Sequence, residues 1–261
     1  MKYELDHLSY SSISSYLTCG KAWKYKYIDK IPTKPSTTLI LGSTVHDTME
    51  EIIACRSVGM EEPNPVEFAT ETLNKRLENE KGTFIPEDLE TLKDDVLRLV
   101  SDNVILSGLA DIRAKVDDRG AQIERKVTLE IPEVDVPIIG FIDIVLEDGT
   151  PADFKTSSRA WTQERAEKEM QPIFYLAAMG QCGMPVNWHF KHLVMVKTKK
   201  PQFQILEHTH EPKELFSLFK QVQDVWKGIQ SDVFNQAAPG SWKCSPRWCD
   251  YYDLCKGIGL E

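Results

Sequence analysis

Residues 140–155 read GFIDIVLEDGTPADFK, in which two apolar runs flank a short polar turn. Apolar, β-branched runs on either side of such a turn predict a β-hairpin. A two-residue loop would place Asp143 and Asp153 on opposite faces, whereas a three-residue loop over 147–149 pairs them directly. We favour the longer loop, because it ends in a residue in the left-handed region, which Gly149 adopts at little cost.

Two carboxylates and an ammonium group then share one face of the hairpin. Asp153 and Lys155 are two residues apart on one strand, so their side chains leave the same face as Asp143. Charged groups on apolar strands need partners or a metal ion. This set can hold a divalent cation and position a water, which suits hydrolysis of a phosphodiester. A solvated hairpin with ordinary surface charges is the alternative interpretation.

Composition indicates a globular protein. The chain has 261 residues, of which 41% are apolar and 27% charged, enough for a sizeable core. It contains no apolar run of about 18 residues and begins MKYELD, so we expect neither a membrane span nor a signal peptide, and an intracellular location. The net charge of -9 argues against coating nucleic acid by bulk electrostatics, but bound cations would reverse the local sign at a metal site.

Hydrophobic periodicity predicts one α/β domain around a mixed sheet. We divide it into a helical N-terminal part (1–110), a catalytic sheet core (111–210) and a helix with a cysteine-rich end (211–261). A strong amphipathic helix spans Leu39 to Ala54, with Leu41, Val45, Met49 and Ile52 on one stripe. Helices are further predicted at 9–27, 66–80, 87–105, 162–181 and 214–229, and strands at 122–131, 136–146, 151–156, 187–196 and 202–208.

Basic and aromatic residues alternate near the start of the chain. Such a mixture suits contacts with a single strand through phosphates and stacked bases. A solvated helix face with its aromatic side chains in the core is the alternative. The residues are Lys21, Trp23, Lys24, Tyr25, Lys26, Tyr27, Lys30 and Lys34, and a second basic group is Lys197, Lys199 and Lys200.

Three of the six cysteines, Cys244, Cys249 and Cys255, lie within twelve residues of one another. In an intracellular protein a cysteine cluster is more often a metal site than a disulfide set. Three thiolates need a fourth ligand, because structural zinc sites and [4Fe–4S] clusters both favour four. Cys19, at the end of a polar helix, is the best candidate. Zinc, an iron–sulfur cluster and unconnected thiols all remain open on spacing alone.

The other two cysteines fit a different interpretation. Cys55 ends the strong amphipathic helix and Cys182 lies just past another helix. We therefore expect both to be small buried hydrophobic side chains.

Taken together, several segments resemble the RecB-type nuclease branch of the PD-(D/E)XK superfamily, similar to CRISPR-adaptation and phage exonucleases. The resemblance spans nearly the whole chain with its motifs in order. It implies a PD-(D/E)XK core with a mixed central sheet flanked by helices, an N-terminal helical part and a C-terminal cysteine clasp. The matching segments are Ser11–Cys19 with Trp23–Tyr27, Gly42-x-x-x-His46, Gly140-x-x-Asp143, Asp153-x-Lys155-Thr156, Gln171-x-x-x-Tyr175, and Trp248-Cys249-Asp250-Tyr251 with Cys255.

The resemblance also implies a metal centre. His46, Asp143, Asp153 and the backbone carbonyl of Phe154 would bind Mg²⁺ or Mn²⁺, a choice that fits oxygen ligands with one imidazole. Glu124, in the preceding strand, is a secondary acidic candidate, although a surface charge is the favoured interpretation.

The remaining family roles concern catalysis, DNA and the cysteines. Lys155 would activate water and stabilise the transition state beside Asp143 and Asp153. Gln171 and Tyr175, four apart on a helix, would contact the DNA. The resemblance assigns a [4Fe–4S] cluster, with zinc as the alternative, to Cys19, Cys244, Cys249 and Cys255.

We therefore expect a metal-dependent deoxyribonuclease, an exonuclease that trims single strands or DNA ends in recombination, repair or CRISPR adaptation. Its setting would be the cytoplasm of a bacterium or archaeon, or of a phage host. A catalytically inactive DNA-binding scaffold of a recombination complex is the alternative, and an iron–sulfur electron carrier would leave the carboxylates unexplained. No Walker-type glycine loop occurs, so unwinding would require a helicase or recombination partner.

Overall fold

The computed structural model describes residues 3–33, 36–78 and 84–258. Lys34, the predicted helix end at Glu80 and the last three residues of the predicted cysteine-rich end, 259–261, lie outside these ranges. The chain divides into two compact units. Unit 1 comprises Met1–Lys34, Thr128–Gly140 and Lys213–Glu261, and unit 2 comprises Pro35–Val127 and Phe141–Pro212.

Helices and strands follow one another in a mixed order. The helices are α1 (Tyr10–Thr18), α2 (Gly20–Tyr27), α3 (Thr37–Ser57), α4 (Pro65–Glu78), α5 (Pro86–Val100), α6 (Asn103–Leu109), α7 (Gln163–Glu167), α8 (Gln171–Gln181), α9 (Glu214–Gln230) and α10 (Tyr252–Lys256). The strands are β1 (Leu8–Ser9), β2 (Val116–Asp117), β3 (Gly120–Ala121), β4 (Ile123–Leu129), β5 (Ile138–Val145), β6 (Pro151–Ser157), β7 (His189–Val196) and β8 (Gln202–Thr209).

The main sheet is mixed, with strand order β1-β5-β6-β7-β8 and β4 also paired to β5. In unit 1, β1 runs parallel to the start of β5. In unit 2, the end of β5 is antiparallel to β6, β6 is parallel to β7, and β7 is antiparallel to β8. The predicted α/β class with a mixed central sheet flanked by helices is confirmed.

The core of unit 2 forms around α3. The predicted stripe is buried, with Val45 and Met49 fully inaccessible to solvent. Helices α4 and α5 pack on α3, and α3 packs on β6. Burying these apolar side chains is the main favourable term in folding, and it holds the polar residues of α3 beside the sheet.

The β5–β6 hairpin has the predicted three-residue loop. Ile144 pairs with Ala152 and Val145 with Pro151, and the N–H of Leu146 donates to the carbonyl of Thr150 at 2.8 Å. Continued by one residue, this register sets Asp143 opposite Asp153. Both predictions, the loop length and the pairing of the aspartates, are confirmed.

Gly149 closes this loop with a φ of +86°. A Cβ atom there would meet nothing within 4 Å, so Gly149→Ala should cost only the backbone strain of a left-handed residue, about 1–2 kcal/mol of unfolding free energy. Gly42→Ala, in the helix α3 and also in open space, should instead stabilise by about 0.5–1 kcal/mol. Urea unfolding measures both, and a change of the same sign in the two variants would contradict this explanation.

In unit 1, the predicted helix from residue 9 to residue 27 is interrupted. Cys19 takes an extended conformation (φ -162°, ψ 98°) between α1 and α2. A Cβ on the buried Gly20 would approach the backbone of Phe234 and Asn235 to 3.1 Å, so glycine permits the close approach of two chain segments here. The sequence prediction of one continuous helix was wrong, because this contact is made with residues distant in the sequence.

Two further predicted helices also divide. The helix expected over 87–105 ends at Val100, and Asp102 then caps α6 by accepting hydrogen bonds from the N–H groups of Val104 and Ile105. The helix expected over 162–181 becomes α7 and α8. Pro172 lies in the first turn of α8, where its missing N–H costs nothing.

None of the helices in the described ranges is long and apolar enough to cross a membrane.

Candidate active site

The predicted carboxylates and lysine come together in unit 2. Asp153, only 2% exposed, forms an ion pair with Lys155, whose Nζ lies 2.5 Å from Asp153 Oδ2. The N–H of Phe154 donates to Asp143 Oδ2 at 2.7 Å, which fixes the second carboxylate against the same strand. Phe154 is therefore placed at the site by its amide, and its carbonyl as a metal ligand stays a prediction.

Burial and mutual repulsion shape the charges of this pair. Burial raises the pKa of Asp143 well above its usual value, and the nearby carboxylate of Asp153 raises it further. Burial also raises the pKa of Asp153, although Lys155 opposes the rise. For Lys155, burial works to lower the pKa, but Asp153 outweighs it and raises that pKa. Two crowded carboxylates favour a proton or a cation between them.

Helix α3 adds His46 and Glu50, which are one turn apart and face the hairpin. One ligand atom each from His46, Glu50 and Asp143 lie within 4.8 Å of one another. Burial lowers the pKa of His46 to about 3, and the charge of Lys155 adds to this, so the imidazole is neutral at pH 7. Neutral imidazole is the form that binds metals.

These residues fit a divalent cation. The Nε2 atom of His46 is buried and has no hydrogen-bond partner among the described residues, which is costly unless something else satisfies it. One imidazole nitrogen with several carboxylate oxygens is a donor set suited to Mn²⁺ or Mg²⁺.

The sequence reasoning missed Glu50. It is 7% exposed, and burial raises its pKa to about 8, with further contributions from Glu124, Asp47 and Asp153. Its signal was present, because Glu50 follows the buried Met49 and stands four residues after His46, on the same face of the helix. The sequence does not show that the carboxylate of Glu50 lies close to Asp143, because the two residues are far apart along the chain.

Glu124 belongs to this electrostatic environment. The sequence favoured a simple surface charge, and its side chain is exposed. However, its carboxyl group is partly shielded from solvent, and this partial burial raises the pKa of Glu124, with Asp47 and Asp153 raising it further. Its backbone is in the left-handed region at φ +48°, a strained conformation that often occurs at functional sites.

Gln171 and Tyr175 of α8 join the same network. The Gln171 amide nitrogen donates to Asp153 Oδ1 and to the Tyr175 hydroxyl, both at 2.9 Å. Its carbonyl accepts from Lys155 Nζ at 2.8 Å. Tyr175, 5% exposed, donates to the carbonyl of Phe141 at 2.6 Å. The pair thus holds Asp153 and Lys155 in place, and its contact with DNA stays a prediction.

The elevated pKa of Glu50 makes stability depend on pH. Its pKa is about 8 when folded against 4.5 for an ordinary glutamate, so between these values the folded protein binds more protons than the unfolded chain. The stabilising contribution is full below pH 4.5 and is lost as the pH rises through 8. In metal-free protein, Glu50→Gln should flatten the fall in melting temperature between pH 5 and 9. The exposed neighbour Glu51→Gln should not, and equal effects of the two changes would contradict the assignment.

The four clasp cysteines form a second group, in unit 1. Burial raises the pKa of the Cys249 thiol, and the nearby Cys19, Cys244 and Cys255 raise it further. Joint ligation of a metal by these four thiols stays a prediction. Cys55 is buried, as expected. Cys182 is exposed, and the prediction that it is buried was wrong, because it caps the solvent end of α8 rather than its packed face.

Among the basic and aromatic residues near the start of the chain, one is a core residue and others form contacts between a lysine and a tyrosine ring. Trp23 is 1% exposed and stacks on Phe234 at 5.9 Å between ring centroids, so it is a core residue. Lys21 and Lys26 lie over the rings of Tyr25 and Tyr27.

Comparison with known proteins identifies relatives of this fold. A crystal structure of a "putative exonuclease" from Eubacterium rectale superimposes with a TM-score of 0.60 at 12% identity, covering 93% of this chain and 87% of that one. A second solved structure, SSO0001, gives a TM-score of 0.36 at 12% identity over 85% of this chain and 96% of that one. No curated protein matches significantly. The family model of the PD-(D/E)XK nuclease superfamily matches residues 7–256, and because this match takes in nearly the whole chain, the protein belongs to that superfamily.

Proposed function

We propose that this nuclease is a metal-dependent exonuclease that cleaves DNA, trimming single strands or DNA ends in recombination, repair or CRISPR adaptation. The observation that carries the proposal is the convergence of a neutral His46 with Asp143, Asp153 and Lys155 in unit 2. A hairpin with only a structural role would not require a buried imidazole nitrogen without a hydrogen-bond partner. Nor would it require crowded carboxylates beside a lysine that is fixed by an ion pair and a hydrogen bond.

His46, Glu50, Asp143 and Asp153 would hold the divalent cation, with the Phe154 carbonyl as a further ligand. Glu50 is an addition to the set that the family resemblance implies. When bound, such a cation lowers the pKa of water and offsets the charge of a phosphate. Ligation requires the carboxylates to lose their protons, so affinity for the cation should rise with pH.

The protein's own groups then position the chemistry. Lys155 keeps its proton, because its pKa is raised by Asp153, and its ammonium group can donate to a phosphate oxygen on which charge develops. Gln171 fixes the direction of Lys155 by accepting its hydrogen bond. Donors placed in advance where charge develops are a large part of enzymatic rate enhancement.

We further propose that Cys19, Cys244, Cys249 and Cys255, which together form the cysteine clasp, bind one [4Fe–4S] cluster. The proposal is supported by the influence of Cys19, Cys244 and Cys255 on the charge of Cys249 and by the family resemblance, which assigns these four thiols a cluster. Zinc, which also favours four ligands, is the alternative.

Digestion of matched substrates tests the exonuclease proposal. Linear and circular single-stranded DNA, linear duplex DNA and RNA of the same sequence are incubated with Mg²⁺ or Mn²⁺. We expect linear DNA to be shortened from an end while circular DNA survives. Cleavage of the circle would indicate an endonuclease, preferred cleavage of RNA would overturn the DNA assignment, and binding without cleavage would favour the inactive scaffold. A helicase or recombination partner would be sought by co-purification.

A further inference from the structure

Two tryptophans of unit 1 are left in solvent. Trp242 is 63% exposed and Trp248 is 58% exposed, although unit 1 buries its other tryptophans, Trp23 and Trp226, almost completely. Fully burying a large apolar side chain stabilises a fold by about 1.5–3 kcal/mol. Two rings left exposed within a short segment therefore do not contribute this free energy to folding. Exposed apolar patches of this kind mark interaction sites.

The two rings form a defined arrangement. Their centroids are 5.4 Å apart with the planes at 90°. The backbone that carries them is held in turns: the N–H of Trp248 donates to the carbonyl of Ser245 at 3.0 Å, and the Ser245 hydroxyl donates to the carbonyl of Trp242 at 2.9 Å. The rings are therefore placed before any partner arrives, which lowers the ordering cost of binding.

Each ring carries its own cation. Lys243 Nζ is 5.4 Å from the centre of the Trp242 ring, and Arg247 Cζ is 5.2 Å from the centre of the Trp248 ring. A cation over an aromatic face stabilises the ring's position, and here it keeps a positive charge within about 6 Å of the centre of each exposed ring. We call Trp242, Lys243, Arg247 and Trp248 the tryptophan platform.

We propose that the tryptophan platform binds single-stranded nucleic acid, with bases stacked on the two rings and phosphates contacted by Lys243 and Arg247. Flat rings beside fixed positive charges match the alternation of base and phosphate along a strand. Tryptophan and arginine are also enriched at protein interfaces, so a protein partner is the alternative occupant, and the sedimentation measurement below tests it. The platform lies in unit 1 and shares no residue with the proposed metal centre of unit 2, so it gives the protein a way to retain a strand that does not depend on the catalytic residues.

Binding is tested with the full chain carrying Asp153→Asn, which prevents degradation. Fluorescence anisotropy of an end-labelled oligothymidylate of about 20 nucleotides reports affinity in the absence of divalent cations. Trp242→Ala and Trp248→Ala should each raise the Kd about 5- to 100-fold, the loss typical of one stacked base. Trp248→Tyr should retain most of the affinity, because it keeps an aromatic face.

Phe216 supplies the matched control. It is 80% exposed on α9 of the same unit, and among the described residues no cation is found over its ring. Phe216→Ala should leave the Kd within about twofold, since it removes no stacked base. Removing Lys243 and Arg247 should lower the slope of log K against log salt by about 0.7 for each lost phosphate contact.

The binding measurements distinguish the proposed nucleic-acid site from its alternatives. Unchanged affinity of both Trp→Ala variants, or an equal loss in Phe216→Ala, would overturn the proposal. The proposal would also be overturned if the two Trp→Ala variants bound DNA as tightly as wild type but no longer self-associated in sedimentation. That result would make the platform a protein interface. Failure of the wild-type chain to cleave DNA would count against the nuclease proposal only, because binding is measured without catalysis.

Discussion

Replacing Lys155 with alanine should lower the rate of DNA cleavage about 10²- to 10³-fold, the usual effect of losing one donor to developing charge. The ammonium group is held by Asp153 and Gln171, a geometry suited to a phosphate oxygen in the transition state. Groups that act mainly in the transition state change the rate more than ground-state binding. The Kd for DNA and for Mn²⁺ should therefore stay within a few-fold of wild type.

Single-turnover cleavage and equilibrium binding measure these two quantities separately. Lys197→Ala is the matched control, because Lys197 is also a partly buried lysine of unit 2 paired with an aspartate, Asp95, at 3.3 Å. It should cleave at close to the wild-type rate. If Lys155→Ala lost affinity as much as rate, the lysine would be a simple phosphate contact.

Replacing Cys249 with alanine should remove the proposed [4Fe–4S] cluster and strongly destabilise unit 1. The C-terminal segment that carries Cys244, Cys249 and Cys255 has few aliphatic residues, and metal binding can supply the free energy that burial does not. Anaerobically purified wild type should be brown with broad absorbance near about 400 nm, whereas Cys249→Ala should be colourless and should unfold at lower temperature.

Cys55→Ala and Cys182→Ala are the controls, one buried and one exposed, and both should keep the colour. If wild-type protein were colourless and contained one tightly bound zinc, the metal would be zinc rather than iron, and the set of four cysteine ligands would stand. A brown Cys249→Ala variant would contradict the ligand set itself.

The part of the site that local rules could predict is the hairpin. Its register follows from the parity of side chains along a strand and from the ability of Gly149 to close a three-residue loop, so Asp143 and Asp153 were paired correctly before the fold was known. The buried stripe of α3 and the strands β6 to β8 were also predicted, because periodicity is a local property of the sequence.

What sequence reasoning could not supply depends on contacts between distant segments. The break at Cys19 depends on the approach of Gly20 to residues near Asn235, and the role of Glu50 depends on its distance from Asp143. The exposure of Trp242 and Trp248 has no signal in the sequence, because neighbouring residues do not determine whether a tryptophan is buried. Each of these features is set by packing that no short window of sequence contains.

The most direct test of the central claim is digestion of end-labelled DNA by wild type and Asp153→Asn in parallel, with Mn²⁺, with Mg²⁺ and with a chelator. Wild type should release nucleotides with either cation and stop with the chelator. Asp153→Asn should be slower by at least about 100-fold, since it loses a proposed metal ligand and the partner of Lys155. Cleavage at the wild-type rate by Asp153→Asn, or cleavage that survives the chelator, would contradict the proposed metal-dependent site.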